Sequence, residues 1–228
     1  MTTVGLIGSG RIGGTVARLA VTAGHQVLLS NSRGPDTLKD LAAELGPLAR
    51  ATTGQEAAEG GELVVVTIPF RAVQSVPPGP LAGKVVIDTC NYYPQRDGQI
   101  PELDSGALTS SELTQRHLPE SAVVKAFNNI YYRHLESLAR PAGAADRSYL
   151  PIAGDDAAAK AAVTAFLDSI GYGAVDAGPL AEGWRQQPGT PVYAGAYGSF
   201  QDPKGSPASV DAIRKALAAA ERQATAER

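Results

Sequence analysis

A glycine-rich segment near the start of the sequence has the spacing used by turns that bind dinucleotides. Gly8, Gly10 and Gly13 follow the short apolar run Val4–Ile7 and open an amphipathic helical pattern. In such a strand-to-helix context Gly8 makes the tight turn, Gly10 lets a pyrophosphate approach the backbone, and Gly13 lets helix and strand pack closely. The N–H groups and dipole at the helix N-terminus attract the phosphates. The segment therefore predicts a dinucleotide site.

The end of the next predicted strand indicates which dinucleotide fits. NAD enzymes usually place Asp or Glu about 20 residues after the glycine turn, where it binds the ribose 2′-hydroxyl. Here the segment reads Ser30-Asn31-Ser32-Arg33, whose hydroxyl, amide and guanidinium groups suit a 2′-phosphate. We therefore expect NADP(H). In the alternative, Arg33 is a solvated turn residue and Asp36 binds the ribose, although Asp36 also suits the cap of a helix that begins near Thr37.

Residues that follow the other strands predict where the reaction takes place, because ligands lie outside the carboxyl ends of parallel strands. The segments at those ends are Thr67–Phe70, Asp88–Asn91 and Phe127–Asn129. Ile68 and Pro69 would form an apolar wall for a flat ring. Asn128 and Asn129 either bind the nicotinamide carboxamide or serve as turn or helix-cap residues.

The remaining polar residues do not indicate hydrolysis or metal catalysis, and we predict no metal site. His25, His117 and His134 are interpreted as surface residues, and Cys90 as a small residue at a strand end. Hydride transfer between two bound cofactors needs mainly positioning, so it is compatible with a site that lacks an acid–base pair.

One further run of residues resembles a motif of another class of dehydrogenase. Lys125, Asn128 and Asn129 match the Lys-x-x-Asn-Asn run of 3-hydroxyacid dehydrogenases, where the lysine acts in proton transfer on a helix. Here residues 122–126 are predicted to form a strand, in which side chains alternate between faces, so Lys125 and Asn128 would point in unlike directions. We interpret this likeness as accidental.

The sequence predicts strands that alternate with helices, and these elements position the residues named above. The alternation predicts an α/β protein with a Rossmann-type, doubly wound, mostly parallel sheet. The first six predicted strands are Val4–Ile7, Gln26–Ser30, Ala49–Thr52, Leu63–Ile68, Val85–Asp88 and Ala122–Ala126. Leu63–Ile68 is apolar on both faces, so it is expected at the centre of the sheet.

Beyond residue 140 the pattern continues as strand, helix and strand over Leu150–Ala153, Asp156–Ile170 and Gly173–Asp176. Asp155 would cap this helix and Gly171 would end it. The piece extends the sheet or packs beside it, and Ser209–Arg228 is expected to form an alanine-rich terminal helix. We therefore expect an NADP-binding Rossmann domain over residues 1–140 and a small C-terminal α/β extension over residues 141–228 that completes the acceptor site.

Composition argues against several classes of partner. The net charge is −3 and the basic residues are scattered, which gives no electrostatic footprint for nucleic acid or for an anionic membrane. The longest apolar run, Leu63–Ile68, is far shorter than the roughly 20 residues of a membrane helix. We expect a soluble, cytoplasmic protein that acts on a small-molecule or cofactor acceptor and forms a homodimer, since two-fold assemblies are common.

Several of these segments together resemble the coenzyme F420-dependent NADP reductases and the small dinucleotide-binding oxidoreductases around them. The shared segments are Gly8–Gly13, Ser32-Arg33, Val64–Pro69, Val123–Asn128, Ile152–Asp156 and Val175–Leu180. The glycine turn is generic, whereas Thr-Ile-Pro after the central strand, Gly-Asp-Asp and Asp-Ala-Gly-Pro-Leu together are specific to this group.

The resemblance implies reversible hydride transfer between C4 of the nicotinamide of NADP(H) and C5 of a deazaflavin, coenzyme F420. It implies that Gly10, Arg11, Ile12, Ser32 and Arg33 hold NADP(H), while Thr67, Ile68 and Pro69 line the hydride path as positioning residues. The full set of predicted cofactor-binding residues is Gly8, Ser9, Gly10, Arg11, Ile12, Gly13, Asn31, Ser32, Arg33, Thr67, Pro69 and Asn128.

The chain departs from these reductases chiefly on the acceptor side. Tyr92–Gly106 looks like an added loop, Gly183–Gly198 has no counterpart, and the glycine turn reads Gly-Ser-Gly-Arg where theirs often reads Gly-Gly-Thr-Gly. Nearby aromatic residues form either a wall for a planar acceptor or a packing cluster or dimer contact: Tyr92, Tyr93, Trp184, Tyr193, Tyr197 and Phe200. Two other functions stay open, a reductase of another small acceptor (flavin, imine, ketone or metal chelate) and a non-catalytic NADPH-binding module.

Overall fold

The computed structural model describes residues 1–222 and shows an α/β fold built on one eight-stranded sheet. The strands are β1 (Thr3–Ile7), β2 (Gln26–Ser30), β3 (Ala49–Ala51), β4 (Leu63–Val66), β5 (Val85–Asp88), β6 (Ala122–Lys125), β7 (Tyr149–Gly154) and β8 (Gly173–Asp176). Their order across the sheet is β3-β2-β1-β4-β5-β6-β7-β8. The strand β4 is buried along its whole length and lies inside the sheet, as its apolar sequence predicts.

The sheet is parallel from β3 to β6, and this part confirms the predicted Rossmann-type order. The strand β7 runs antiparallel to β6, and β8 is parallel to β7. The C-terminal part of the chain therefore extends the sheet. The fold class is the predicted one: a doubly wound, mostly parallel α/β fold.

The helices are α1 (Arg11–Thr22), α2 (Lys39–Leu45), α3 (Gly54–Gly60), α4 (Pro94–Asp97), α5 (Pro101–Asp104), α6 (Ser110–His117), α7 (Tyr132–Ser137), α8 (Ala157–Ser169) and α9 (Val210–Ala218). Apolar side chains of α1, α7, α8 and α9 bury one face of the sheet, and those of α3 and the turn over Phe70–Ser75 bury the other. The terminal helix is shorter than predicted, and residues 223–228 of that prediction lie outside the described residues. No helix within residues 1–222 is long and apolar enough to cross a membrane.

Two predicted helix caps are wrong. Asp36 lies in a 3-10 turn over Pro35–Leu38, where it pairs with Lys39 at 2.6 Å, and α2 begins only after that turn. The cap of α8 is Asp156, which accepts a hydrogen bond from the Ala159 backbone N–H at 2.7 Å. Asp155 instead accepts a hydrogen bond from the Leu180 backbone N–H at 2.9 Å, which ties the start of α8 to the chain beyond β8.

The interpretation of the histidines as surface residues is wrong for two of the three. His134 is fully buried, and its Nε2 lies 2.7 Å from the Asp202 carbonyl oxygen. His25 is 8% exposed, and its Nε2 lies 2.8 Å from the Ser169 hydroxyl oxygen of α8. These rings join segments that are distant in the sequence, a use that the sequence alone did not indicate. Burial lowers the pKa of His25 below its ordinary value.

Candidate active site

The turn between β1 and α1 has the conformation that its glycines predict. Gly8 has a φ of 106°, and its N–H donates a hydrogen bond to the Ser30 carbonyl at 3.1 Å. A β-carbon on Gly8 would overlap the carbonyl oxygen of Thr67, and one on Gly13 would overlap the carbonyl oxygen of Gly8. A β-carbon on Gly10, by contrast, would meet no protein atom within 4 Å. The turn therefore packs tightly at its two ends and leaves open space at its middle.

Hydrogen bonds fix this turn against the end of β2. The hydroxyl of Ser9 donates to the Ser30 carbonyl at 2.9 Å, and the buried Ser30 hydroxyl donates to the Leu6 carbonyl at 2.7 Å. The Ser9 side chain thus holds the turn in place from the β2 side. The first N–H groups of α1 remain available, since a helix leaves those groups without partners of its own.

Exposed polar residues follow β2. The Asn31 carboxamide oxygen accepts a hydrogen bond from the Arg33 backbone N–H at 2.8 Å, and its NH₂ donates to the Thr37 hydroxyl at 2.9 Å. This local turn leaves the side chains of Ser32 and Arg33 exposed. Asp36, the alternative ribose partner, is engaged by Lys39. The segment can therefore present a guanidinium and a hydroxyl to a phosphate, as predicted for NADP(H).

The residues after β4 pack on the glycine turn. The Thr67 methyl group lies next to Gly13, and the Ile68 side chain lies next to Gly8. Pro69 is exposed and precedes a short 3-10 helix that begins at Phe70. Thr67 and Ile68 thus border the glycine turn. Neither they nor Pro69 line the pocket at the ends of β5 and β6 that is described next.

A cavity of about 210 Å³, which we call the aromatic pocket, lies at the carboxyl ends of β5 and β6. It is lined by the aromatic side chains of Phe127, Tyr131, Tyr132, Tyr193 and Phe200. Of the predicted cofactor residues, it contains Arg11, Ile12 and Asn128, together with Thr89 and Asn91 of the segment after β5. The predicted segment after β6 ends at Asn129 and leaves out Tyr131 and Tyr132. Their position five and six residues beyond the predicted strand end at Ala126 was the available signal.

Asn91 and Asn128, which both line the aromatic pocket, are hydrogen-bonded to each other. The NH₂ of Asn128 donates to the Asn91 side-chain oxygen at 3.0 Å and to the Gln186 carbonyl at 2.6 Å. The NH₂ of Asn91 donates back to the Asn128 carbonyl at 2.8 Å. Within residues 1–222 the buried side-chain oxygen of Asn128 has no hydrogen-bond partner. Since buried polar groups are nearly always paired, this oxygen is available to a donor on a bound molecule.

Backbone strain is concentrated at the same pocket. Phe127 and Ala194, which both line it, have φ values of 62° and 60°. This left-handed region is costly for residues with a β-carbon, and such residues cluster at functional sites. Asn129 connects the two strained positions, because its carbonyl accepts a hydrogen bond from the Ala194 N–H at 2.7 Å.

The aromatic residues singled out in the sequence have different roles. Tyr193 and Phe200 line the aromatic pocket, while Tyr197 is fully buried in the core. The hydroxyls of Tyr93 and Tyr193 lie 2.5 Å apart, and burial together with this contact raises the pKa of Tyr193. The guanidinium groups of Arg185 and Arg222 lie 4.4 and 5.2 Å from the centre of the Trp184 ring. Of the six aromatic residues that the sequence suggested as a wall for the acceptor, Tyr193 and Phe200 line this pocket.

A buried ion pair supports the end of β5. Lys125 and Asp88 have fully buried side chains, with Nζ and Oδ2 3.8 Å apart. Lys125 also donates to the Cys90 carbonyl at 3.0 Å and to the Ser111 hydroxyl at 3.0 Å. Lys125 does not line the aromatic pocket, so it lacks the position of a proton donor there. Cys90 is buried, as predicted for a small strand-end residue, and burial raises the pKa of its thiol.

Comparison with known proteins identifies the N-terminal part of the chain. Residues 3–92 match the model of a family described as NADP oxidoreductase, coenzyme F420-dependent. This part of the chain is similar to that family. The match contains the glycine turn, Ser32-Arg33 and Thr67–Pro69, so the family resemblance stated from the sequence is confirmed. No curated protein matches the sequence.

Solved structures show a similar fold over most of the chain. A hypothetical protein from Sinorhizobium meliloti is 28% identical, with a TM-score of 0.74 over 85% of this chain and 94% of its own. A proposed F420-dependent NADP reductase from Arthrobacter sp. FB24 is 27% identical, with a TM-score of 0.66 over 80% of this chain and 87% of its own. A reductive aminase from Aspergillus terreus is 17% identical, with a TM-score of 0.57, and shows the fold alone; the match covers 79% of this chain and 56% of the aminase.

Proposed function

We propose that the chain is an oxidoreductase that passes hydride between NADP(H) and a deazaflavin, coenzyme F420. The observation that carries this proposal is the family match over residues 3–92, because the matched segment contains the predicted residues of the dinucleotide turn and of the hydride path. The similarity to the Arthrobacter protein supports the same function.

The residues of the turn fit an NADP pyrophosphate. The open space beside Gly10 leaves room for the phosphates at the N-terminus of α1. Ser32 and Arg33 are exposed where a 2′-phosphate is expected, and no carboxylate lies at the end of β2 to repel it. Gly8, Ser9 and Gly13 hold the shape of the turn through the contacts described above.

The remaining residues of the site serve mainly to position the reactants. NADPH, when bound, supplies the hydride from C4 of its nicotinamide. Thr67 and Ile68 pack on the glycine turn and border the space at the carboxyl end of β4. The Asn128 side-chain oxygen is available to accept a hydrogen bond from a carboxamide, and the aromatic pocket provides apolar walls for the acceptor. Alignment of two bound reactants can supply several kcal/mol of the barrier, roughly 7–11 in the best cases.

Deuterium labelling tests this function. NADPH carrying deuterium at C4 on one face or the other is mixed with oxidised coenzyme F420 and the protein. We expect one labelled form, and not the other, to transfer deuterium to C5 of the deazaflavin. Deuterium in the solvent would contradict direct transfer, and absence of NADPH oxidation would contradict the proposed acceptor.

A further inference from the structure

The aromatic pocket contains one cation and no opposing charge. Arg11 is the only basic residue among those that line it, and none of these described residues is acidic. The guanidinium of Arg11 makes no ion pair or hydrogen bond to any residue between 1 and 222. An unpaired guanidinium beside aromatic walls favours an anion, since arginine binds phosphate and carboxylate in a bidentate manner.

The side chain of Arg11 is held towards the pocket by Tyr132. Its guanidinium carbon lies 5.3 Å from the centre of the Tyr132 ring, within the range of a cation–π interaction. The Tyr132 hydroxyl accepts a hydrogen bond from Arg133 Nε at 3.1 Å, and this contact holds the pKa of the phenol below its usual range. Both guanidinium groups thus contact one ring, but only Arg11 lines the pocket.

A second observation indicates a ligand in the same space. The side-chain oxygen of Asn128 is buried and has no partner among the described residues, although Asn128 itself is only 5% exposed and lines the pocket. A molecule in the pocket therefore meets a cation and flat apolar walls, next to the amide that the proposed function assigns to the nicotinamide. The cation and the walls together select a planar ring compound that carries a negative charge.

We propose that the Arg11 side chain recognises an anionic group on the acceptor, so that the aromatic pocket selects acceptors that carry a negative charge near a planar ring. This inference rests on the proposed function, which places the hydride acceptor in this pocket. Arg11 then has two roles: its backbone N–H, at the start of α1, faces the dinucleotide phosphates, and its side chain faces the acceptor.

The alternative anion for the Arg11 side chain is the pyrophosphate of NADP. The following test distinguishes it from an anionic group on the acceptor. The probes are 5-deazariboflavin, which is neutral, and its 5′-phosphate, which has the same ring and is anionic. Their binding is measured by fluorescence titration in the absence and in the presence of saturating NADP⁺, where no turnover occurs. We expect the phosphate form to bind about tenfold more tightly, as a charge-assisted contact supplies. Arg11→Gln should remove this difference, and its NADPH affinity should fall by a smaller factor than its affinity for the anionic probe.

Arg133→Gln is the matched control, because it removes a guanidinium from the same tyrosine without changing the pocket lining. The control should retain the preference for the phosphate form. Equal binding of the two probes by the unmodified protein would overturn the inference. So would a loss of NADPH affinity in Arg11→Gln that matches or exceeds the loss for the anionic probe. If the preference is present and depends on Arg11 but no deazaflavin is reduced, the inference stands and the proposed function is overturned.

Discussion

The three glycines of the turn between β1 and α1 lack a side chain for two different reasons. Gly8 and Gly13 are packed against backbone oxygen atoms, so a β-carbon at either position collides with the protein itself. Gly10 faces open space, so a side chain there collides only with a ligand. At the scale of single residues, this difference separates substitutions that harm the fold from those that harm binding.

Gly10→Val should abolish NADPH binding and leave the free energy of unfolding within about 0.5 kcal/mol, because the new side chain occupies only the space of the pyrophosphate. Cofactor titration and urea denaturation measure the two effects. Gly13→Ala is the comparison: its β-carbon overlaps the Gly8 carbonyl, and overpacking of this kind costs about 1–3 kcal/mol. Retained NADPH binding in Gly10→Val would show that the turn is not the cofactor site.

Arg33 should determine the choice between the two nicotinamide cofactors. We expect NADPH to bind at least tenfold more tightly than NADH, a difference of about 1.4 kcal/mol. Arg33→Glu should remove that preference, since a carboxylate repels the 2′-phosphate. Arg116→Glu, an equal change of charge at an exposed position on α6, should retain it. Equal dissociation constants for the two cofactors in the unmodified protein would contradict the assignment.

The buried pair of Lys125 and Asp88 predicts a large loss of stability. Lys125→Met leaves the Asp88 carboxylate buried without its cation, which costs about 3–5 kcal/mol. Lys160→Met breaks an exposed pair with Asp176, and its cost should stay within about 1 kcal/mol. Urea denaturation of both variants measures the contrast. Similar costs for the two changes would contradict this role of the buried pair.

Sequence patterns located the residues whose roles depend on near neighbours. The conformations of Gly8 and Gly13 follow from a local spacing, and so does the exposed turn at Ser32. The contacts of Lys125 and His134 could not be predicted in this way, because their partners lie 14 or more residues away in the sequence. Lys125 and Asn128 do lie in different surroundings, but the strand alternation used to separate them does not apply, because β6 ends at Lys125 and Asn128 lies beyond it.

At the scale of elements, the end of β6 is joined to the chain beyond β8. The NH₂ of Asn129 donates to the Val192 carbonyl at 3.1 Å and to the Tyr197 hydroxyl at 3.2 Å. The same segment contributes Tyr193 and Ala194 to the aromatic pocket. One buried amide therefore holds a wall of the pocket in position.

Asn129→Leu should loosen this wall, because it removes both hydrogen bonds and leaves the Val192 carbonyl without that donor. We expect a loss of about 1–3 kcal/mol in the free energy of unfolding and faster hydrogen exchange at the amide of Tyr197. NADPH affinity should be unchanged, since the glycine turn makes none of these contacts. Gln55→Leu, at an exposed position on α3, serves as the control. Exchange at Tyr197 as slow as in the unmodified protein would contradict this role of Asn129.

His25 connects the start of β2 to α8 and predicts a pH dependence. Burial lowers the pKa of His25 in the folded protein, so the unfolded chain binds a proton at a higher pH. The free energy of unfolding should therefore fall as the pH drops below about 6.5, the ordinary value for histidine. His25→Gln should make this decrease shallower in denaturation series between pH 8 and pH 5. Parallel curves for the two proteins would exclude His25 as the cause.

The approximate bounds of the strands could be predicted because β-rich apolar runs are local signals. The strand β4 ends at Val66 and not at Ile68, since Thr67 and Ile68 turn away to pack on the glycines. The direction of β7 could not be predicted, because it depends on which face and edge the chain reaches after α7. For the same reason the sequence did not decide whether the chain beyond residue 140 extends the sheet or packs beside it.

At the scale of the whole molecule, the two halves of the candidate site come from different parts of the chain. The family match ends at residue 92, and it contains the whole predicted dinucleotide turn. Most of the aromatic pocket comes from residues beyond that match, at 127–132 and 193–200. The protein therefore combines a segment similar to that family with a pocket that lies mostly outside the matched residues.

The central place of β1 also sets an order of events during synthesis. This strand pairs with β2 on one side and with β4 on the other, so its hydrogen bonds are complete only after Val66 has been made. The turn at Gly8 additionally packs against Thr67 and bonds to Ser30. A chain of which only the first two strands have been made therefore contains the glycine-rich segment without its packing partner Thr67. The turn can take the packed form described above only when β4 lies beside β1.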